Sequence, residues 1–536
     1  MFNGLKRWFG AAAVACLVVS LASVVPAASS SASTRARAVK NGTYRVALGT
    51  DPGNLFPYQT VSSTAITLFS YTYDTLVSYN PKGKIVSELA DRWTARAKTV
   101  TFQLRPKITC GDGSKLTASD VAADFRYVLN PKNASPWLNV SVPASGVTVK
   151  SNNARRTVTF VDSSPYSLLL QTTGPLMPIV CPNVLKHPGA YLHRTDGTGP
   201  YKLTSASPGS RYVLVRRPGY HWGPGGTSTT NLMPRKVILE VIADETTQTD
   251  LLLRGQLDEV ALVGPNRSRL PRARGVNTYK LDEPFNWLWF DQRPGHVTDS
   301  LAVRRALTLA LNLRTLEQVA TAKLGSPATS LVPVLSNPCR YNSVSGAFPA
   351  SNLARARRIL RNAGWRAGSN GVLQKNGKPL DLTLLNATDQ GASVSAANDY
   401  MQHQWDSIGA SVTLDSMSTQ GMLGVLFGPG NWDASLVTLG VYVPNQLVGF
   451  LSGPTPPSGE NFAGIHSGAY AQATKNALKS VGTRSCVYWK EGEKALFKYD
   501  DLVPFANNPI YVGLYHSRAE VSFAGIYPTS VRMYRR

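Results

Sequence analysis

The sequence predicts an α/β protein of two lobes, with the boundary between the lobes near residue 280. The chain has 536 residues, of which 43% are hydrophobic and only 16% are charged, so it is a folded chain too long for one simple core. The second half contains three patterns with the spacing of a βαβ unit. They are the strand pattern LDLTLL (380–385), a helical pattern through Val394 and Ala397, and the strand pattern SVTLDS. This order indicates a parallel sheet covered by helices.

The first half contains alternating apolar and polar residues that are typical of strands. The strings TYRVALGT (43–50) and TVTFQL (99–104) both alternate in this way. After the second of these strands, Thr117 and Asp120 have the spacing of a capping box, which predicts the start of a helix there. Asn130 and the proline after it end that helix.

Further elements follow the same rules. TVTFV (157–161) and VILEVI (237–242) are predicted strands, and residues 245–257 have a helical pattern. FNWLWFDQ (285–292) is an aromatic strand that opens the second half. The next patterns predict a helix capped by Asp299 or Ser300 and then a helix from Ser351 to about Ala363, which Gly364 ends.

The first residues have the pattern of an export signal. Lys6 and Arg7 precede an apolar run at 8–25, and small residues follow it, so we expect a signal peptide over about 1–34. The alternative is a retained membrane anchor, because the run is close to the minimum length for spanning. Cys16 lies inside the run, which leaves lipid attachment as a further alternative to simple cleavage.

Export would place four cysteines in an oxidising compartment, where disulfides form. Four cysteines allow three pairings. Sequence order favours Cys110 with Cys181 and Cys339 with Cys486, since each pair would close one lobe. Four buried free thiols are the alternative.

The formal net charge is +24, but the basic residues are dispersed and no block of five or more occurs. Nucleic-acid binding normally shows a basic stripe or a recognised module, so we expect no nucleic-acid partner. A surface that lies among anionic cell-envelope polymers would explain the charge, and a generally basic proteome would explain it equally well.

The sequence lacks the common catalytic motifs. It has no HExxH, CxxC, P-loop or GxSxG string, and GIHSG (464–468) carries His where a nucleophile would stand. None of the seven histidines has the spacing of a metal site, so we expect no metal and no cofactor. These observations predict a protein that is not an enzyme.

Several strings occur together in a characteristic order. They are ELADRWTARAKTVTFQLRPKITCGDGSKLTASDV (88–121), GTGPYKL (197–203) with RRPGYHWG, VRRALTLALN (303–312), and ARRILRNAGW (356–365) with LDLTLL. In this order and spacing they resemble the family 5 extracellular solute-binding proteins, which include oligopeptide-, dipeptide- and nickel-binding proteins. The resemblance extends from about residue 44 to 525.

The resemblance implies a bilobed, periplasmic-binding-protein-like α/β fold (type II, cluster C) with an extra domain and a hinged cleft. Domain I would comprise residues 40–84, 195–278 and 505–536. Domain II would be the family insertion at 85–194, and domain III would be residues 279–504.

The resemblance also implies a function. The protein would be a monomer that captures a peptide or peptide-like solute at the cell surface, in the periplasmic space or as a secreted protein, and delivers it to an ABC permease in the membrane. The alternatives are a cell-envelope binding or sensory protein for a non-peptide solute such as an oligosaccharide, and an exported hydrolase.

The family lines its cleft with four segments: the loop after the first strand, the aromatic strand that opens domain III, the segment after NWDASL, and a segment near residue 461. Carried over to this sequence, the ligand-binding residues would be Asp51, Asn54, Phe56, Asn286, Trp287, Trp289, Thr438, Gly440, Tyr442, Asn461 and Phe462.

One departure from the family pattern concerns the solute. Peptide-binding members carry an acidic residue in the third segment, where it pairs with the peptide amino terminus. Here residues 438–450 contain no Asp or Glu, and Tyr442 falls near the expected place. Because a buried ammonium without a partner is costly, either Asp51 or Asp433 substitutes or the solute is not a standard peptide.

Overall fold

The computed structural model describes residues 37–143, 146–281, 284–285, 287–334, 336–369, 371–522 and 525–535. The predicted signal peptide and Cys16 lie outside these ranges, as does Asn286. Residues from Ala38 onward form one compact unit. In this part of the chain, none of the helices has the length and apolar character that crossing a membrane requires.

A seven-stranded sheet contains strands from both ends of the chain. Its central strand, Thr43–Leu48, runs parallel to strands on both sides, whereas the outer strands pair antiparallel. The strands predicted at 43–50 and 237–242 are confirmed here. In spatial order the strands are Val276–Leu281, Ile510–Tyr515, Glu259–Leu262, Thr43–Leu48, Lys236–Val241, Arg211–Arg216 and Tyr201–Ser207.

A four-stranded antiparallel sheet is formed by residues that, in the sequence, come between two strands of the seven-stranded sheet. The helix Ala118–Leu129 covers this smaller sheet. The predicted capping box is present, because Thr117 Oγ1 accepts from Asp120 N and Asp120 Oδ2 accepts from Thr117 N. Phe125 packs edge-on against Phe160, with 4.6 Å between the ring centroids. The strands in order are Ala90–Ala95, Thr99–Leu104, Thr157–Asp162 and Val147–Asn152.

A five-stranded sheet is formed by the second half of the chain. Strands Asp381–Ala387 and Ser411–Met417 are parallel and are joined by the helix Ala392–Ser407, which confirms the predicted βαβ unit. Trp405 is buried on this helix and donates from Nε1 to the carbonyl of Leu307 at 3.0 Å. The strands in order are Ser411–Met417, Asp381–Ala387, Ala434–Val437, Trp287–Phe290 and Leu502–Val503.

A short three-stranded sheet lies where the chain passes between the two large sheets. Pro284–Phe285 enters the second half and pairs antiparallel with Ala506–Asn507, which leaves it. Ser326–Pro327 pairs with the other side of Ala506–Asn507. We call this group of strands the crossing sheet.

Smaller elements complete the architecture. Ser300 occupies the N-cap position of the predicted helix after residue 299, but its side chain makes no capping hydrogen bond. The remaining strands are Arg366–Ala367, Leu373–Lys375 and Lys378–Pro379 in one sheet, Val77–Tyr79 with Ile85–Ser87, Ser517–Arg518 with Arg532–Met533, and Val521–Ser522 with Gly525–Ile526. The α-helices are Ser63–Thr72, Ala118–Leu129, Leu169–Thr173, Pro182–Lys186, Glu245–Leu253, Leu301–Ala310, Leu313–Ala320, Leu353–Asn362, Ala392–Ser407, Thr419–Leu426, Val448–Ser452, Gly468–Lys479 and Cys486–Lys498.

The strands of the three large sheets lie within the ranges that were assigned to domains I, II and III, except that Val276–Leu281 of the seven-stranded sheet extends three residues into the range assigned to domain III. The domain boundaries themselves stay a prediction. Both predicted disulfides are confirmed, Cys110 with Cys181 and Cys339 with Cys486.

Removal of the first disulfide should destabilise the protein. The Cys110–Cys181 bridge closes 71 residues, and a loop of that length restricts the unfolded chain enough to contribute about 4 kcal/mol. Replacing both cysteines by Ser is expected to lower the free energy of unfolding by about this amount in urea titrations. Equal stability of the double variant and the oxidised parent protein would contradict this expectation.

The helix Cys486–Lys498 carries a buried carboxyl group on its inner face, that of Glu493. Glu493 accepts hydrogen bonds from Tyr341 Oη at 2.8 Å and from Leu331 N at 3.3 Å, and it also contacts the Ser343 hydroxyl. Burial raises the pKa of Glu493 from 4.5 to about 7, although these hydrogen bonds act in the opposite direction. The folded protein therefore holds a proton on Glu493 under conditions in which the unfolded chain releases it.

This proton gives a pH dependence of known sign. Between about pH 4.5 and pH 7 the folded state binds more protons at Glu493 than the unfolded state, so stability falls as the pH rises. We expect Glu493→Gln to remove a slope of at most about 1.4 kcal/mol per pH unit across this window. Urea unfolding of both proteins at several pH values measures the slope; identical pH profiles would refute the assignment.

Candidate functional site

Loops that follow strands of the five-stranded sheet contact loops that flank the four-stranded sheet. Gln446 donates from Nε2 to the carbonyl of Val140 at 2.8 Å, and Asn139 donates from Nδ2 to Glu460 Oε1 at 3.3 Å. Asn445 Nδ2 lies 3.4 Å from Ser167 Oγ. We call this surface, formed by residues 139–140, Ser167, 442–446 and Glu460, the junction.

Gln446 organises the junction with both ends of its amide. Its Oε1 accepts hydrogen bonds from the backbone N–H groups of Tyr442 and Val443, at 2.7 and 3.0 Å, while its Nε2 reaches Val140. The side chain is buried. One residue thus fixes the turn at 442–446 and holds that turn against the opposite loop.

The predicted segment after the strand Ala434–Val437 leads directly into the junction. Thr438 and Gly440 are exposed, and a Cβ added to Gly440 would meet no atom within 4 Å. The ring of Tyr442 is half-buried and packs against the hydrophobic core shared by the seven- and four-stranded sheets. The structure therefore gives this segment accessible positions and a contact with the opposite side, and its role in ligand binding stays a prediction.

The loop after the first strand is held by its own polar side chains. Asp51 accepts hydrogen bonds from Gly53 N, Gly209 N and Tyr212 Oη, at 2.7, 2.5 and 2.7 Å. Burial acts to raise the pKa of Asp51, but the three hydrogen bonds outweigh it and leave the pKa below its ordinary value. Both carboxylate oxygens already accept hydrogen bonds from the protein.

The other two predicted residues of this loop differ in accessibility. Asn54 is half-buried, accepts from Phe56 N at 2.9 Å and donates to Gln59 Oε1 at 3.0 Å. Phe56 is fully buried and packs edge-on against Tyr58 and Tyr127, each at 5.6 Å between centroids. In this structure Phe56 is part of the core, while Asn54 keeps part of its surface exposed.

The aromatic residues of the predicted site form a buried cluster. Trp289 packs against Phe462 with 4.7 Å between centroids and against Trp287 with 6.0 Å, and Trp432 joins them. Trp287, Trp289 and Phe462 each expose at most 1% of their surface. They support the loops from beneath and present no accessible ring face in this arrangement.

Asn461 is also buried, and its side chain serves the backbone. It donates to the carbonyls of Gly453 and Ile465, and it accepts from the N–H of Ile465 at 2.9 Å. These bonds fix the loop that carries Phe462 and its neighbour Glu460.

Asp433, the second acid considered as a partner for an ammonium group, is already engaged. Its Oδ2 accepts from Thr383 N at 2.8 Å, and its Oδ1 lies 3.4 Å from His296 Nδ1. The hydrogen bond to Asp433, together with the nearby Asp291, raises the pKa of His296 despite partial burial. Asp433 is thus paired with a group that favours a positive charge.

Glu460 is the carboxylate at the junction that the sequence analysis overlooked. It is half-buried, and Oε1 accepts from Asn139 while Oε2 lies close to the position that a Cβ on Gly449 would occupy. Its neighbours 461 and 462 were identified from the family pattern. The importance of Glu460 follows only from its contact with Asn139, which is 321 residues away in sequence.

Within the described ranges, no three His, Cys, Asp or Glu side chains are grouped so that they could hold a metal ion. The arrangement instead offers backbone groups, amides and one half-buried carboxylate. Such groups bind polar solutes by hydrogen bonds and charge pairing.

Comparisons with known proteins identify similar chains. The family model for bacterial extracellular solute-binding proteins, family 5 Middle, matches residues 84–446. Protein XP55 of Streptomyces lividans is 30% identical over 303 residues, which make up 54% of this chain and 51% of that protein. The match therefore spans about half the length of this curated relative.

Two solved structures show the same fold. A substrate-binding protein from Microbacterium hydrocarbonoxydans, complexed with 4-hydroxybenzoate hydrazide, has a TM-score of 0.71 at 22% identity, over 92% of this chain and 100% of that one. The oligopeptide-binding protein AppA from Bacillus subtilis, in complex with a nonapeptide, has a TM-score of 0.72 at 15% identity, over 93% and 100%. These likenesses confirm the predicted bilobed, periplasmic-binding-protein-like α/β fold.

The two functions of the Gln446 amide can be separated by mutation. Gln446→Glu keeps an oxygen that accepts from Tyr442 N but places a second oxygen against the Val140 carbonyl, whereas Gln446→Ala loses both contacts. We expect each to lower the free energy of unfolding by about 1–3 kcal/mol. Only the Ala variant should speed amide exchange at Tyr442 strongly.

Urea unfolding and amide hydrogen exchange measure these effects. Gln472→Glu makes the same chemical change on the exposed surface of the helix Gly468–Lys479 and is the matched control. Similar effects of Gln446→Glu and Gln472→Glu would contradict the assigned role of the junction contact.

Proposed function

Because the chain belongs to the bacterial extracellular solute-binding proteins of family 5, we propose that it captures a peptide or peptide-like solute outside the cytoplasm and delivers it to an ABC permease. The single observation that carries this proposal is the junction. There a polar surface on one half of the chain contacts the other half through hydrogen bonds of Asn139, Asn445 and Gln446.

Capture follows from the connection between the two halves. The chain enters the second half at 284–285 and leaves it at 506–507, and these two strands pair side by side in the crossing sheet. Rotation about such a narrow connection would open and close the junction while both large sheets stay rigid. A micromolar dissociation constant requires only about 8 kcal/mol of net binding free energy, which one closed cleft can supply.

The predicted ligand-binding residues would have different roles. Asn54, Thr438, Gly440 and Tyr442 would contact the solute, because they retain exposed surface. The buried residues Phe56, Trp287, Trp289, Asn461 and Phe462 would hold the contacting loops in place. Asn286 lies outside the described residues, and its contact with the solute stays a prediction from the sequence. We propose no catalytic residue and no cofactor.

Glu460 is the proposed partner for a solute ammonium group. Asp51 and Asp433 already accept hydrogen bonds from protein donors on both carboxylate oxygens or pair with His296. Glu460 is half-buried at the junction and has Asn139 as its described hydrogen-bond partner. A carboxylate at this place would offset the cost of removing an ammonium group from water.

A solute without an ammonium group is the second candidate, and one observation favours it. Residues 438–450 carry no acid where peptide-binding members have one. A small neutral solute, like the hydrazide bound by the Microbacterium protein, would need no such partner. Binding or sensing of such a solute without delivery to a permease would use the same cleft.

The solute class can be read directly by native mass spectrometry of the protein purified from its own host. We expect a mass increase that corresponds to one bound peptide and disappears on denaturation. A bound sugar or metal in the absence of peptide would contradict the peptide proposal and leave the fold assignment unchanged.

Glu460→Gln tests the ammonium partner. We expect this variant to bind a peptide with a free amino terminus about tenfold or more weakly, because a charge-assisted contact is lost. The same peptide with an acetylated amino terminus should bind both proteins equally. Calorimetric titration measures both affinities.

Glu491→Gln is the matched control, since Glu491 is exposed on the helix Cys486–Lys498. Equal loss for the free and the acetylated peptide in Glu460→Gln would show that Glu460 acts on the loop structure and not on the ammonium group.

A further inference from the structure

A cavity of about 460 Å³ lies within the second half of the chain, and none of the junction residues lines it. The helices Leu301–Ala310, Leu353–Asn362 and Cys486–Lys498 form its walls, together with a loop at 343–349. The volume falls within the range of small-molecule sites in proteins.

Positive charge dominates the lining of this cavity. Four cations border it, Arg305, Arg355, Lys494 and Lys498, whereas Asp500 is the one carboxylate among the lining residues. The balance is four positive charges minus one negative charge, or +3. The Asp500 carboxylate is itself paired with Arg305, whose Nε lies 3.3 Å from Oδ2.

Two of these cations have no protein partner in the described part of the chain. The side chains of Arg355 and Lys494 are exposed and appear in no hydrogen bond or ion pair there. Lys498 lies only over the ring of its neighbour Tyr499, at 5.4 Å. Partnerless cations around one concave surface attract an anion, because their charges add at the cavity.

The inner wall carries apolar side chains next to a few polar groups. Leu309 and Phe497 are buried there, and Ile359 is half-buried. The hydroxyl of Thr308 is buried beside the Asp500 carboxylate and acts to lower the pKa of that group, although burial raises it overall.

From these features we propose that the cavity is a second ligand site, separate from the junction, for a small organic anion with an apolar body. Its carboxylate, phosphate or sulfonate group lies between Arg355 and Lys494 at the rim. Its apolar body covers Leu309 and Phe497. An inorganic anion would pair with the cations at the rim but would leave the apolar side chains of the inner wall exposed to water.

Fluorescence titration with anilinonaphthalene sulfonate tests the site on the full chain. This probe carries one sulfonate on an aromatic body and becomes fluorescent when its rings leave water. We expect one saturable site, and Lys494→Glu and Arg355→Glu should each weaken binding about tenfold or more, since a charged contact becomes repulsive.

Two charge-matched controls lie on the same helices outside the cavity. Lys490→Glu, one turn before Lys494, and Arg358→Glu, next to Arg357, should change the affinity less than about twofold. Ala347→Trp fills the cavity without a change of charge and should abolish binding. The thermal midpoint of each variant shows whether the fold is kept.

The possible outcomes are distinct. Loss in the lining variants alone supports the site. An equal loss of probe affinity in the lining and the control variants would show that general surface charge causes the effect, and it would overturn the proposal. The absence of saturable binding would overturn it as well. Displacement of the probe by inorganic phosphate as readily as by phenyl phosphate would overturn the requirement for an apolar body.

Discussion

The pairing of two strands in the crossing sheet is the constraint on which the rest of the structure depends. Residues 287–503 form a continuous half, and the covalent chain connects it to the remainder through its two ends. Pro284–Phe285 and Ala506–Asn507 hold these two connections side by side. If the two connections lay far apart, they would restrict rotation of one half against the other. Because they lie side by side, each half can rotate as a rigid body about one narrow axis.

The other contacts are arranged consistently with this constraint. The aromatic cluster around Phe462 and the hydrogen bonds of Asn461 make the loops of the second half rigid up to their surface. At the junction, by contrast, the contacts are the packing of the Tyr442 ring and single hydrogen bonds such as that of Gln446 with Val140. Rigid cores with a weakly bonded polar boundary suit a protein that must open to admit a solute and close to retain it.

Sequence reasoning located most of the fold and less of the site. The βαβ unit of Asp381–Ala387 and the capping box at Thr117 were predictable because they are local patterns with a fixed period or spacing. Accessibility was not predictable, since whether Trp289 packs into the core or faces a solute depends on residues far away in sequence. The contact of Asn139 with Glu460 shows the same limit.

A solute bound at the junction is proposed to hold the two halves together. Amide hydrogen exchange, measured with and without a saturating mixture of short peptides, tests this proposal. We expect exchange to slow at both 137–142 and 438–446 together, while exchange in the seven-stranded sheet is unchanged. Slowed exchange on only one of these segments, in a protein whose thermal midpoint still rises with peptide, would contradict it.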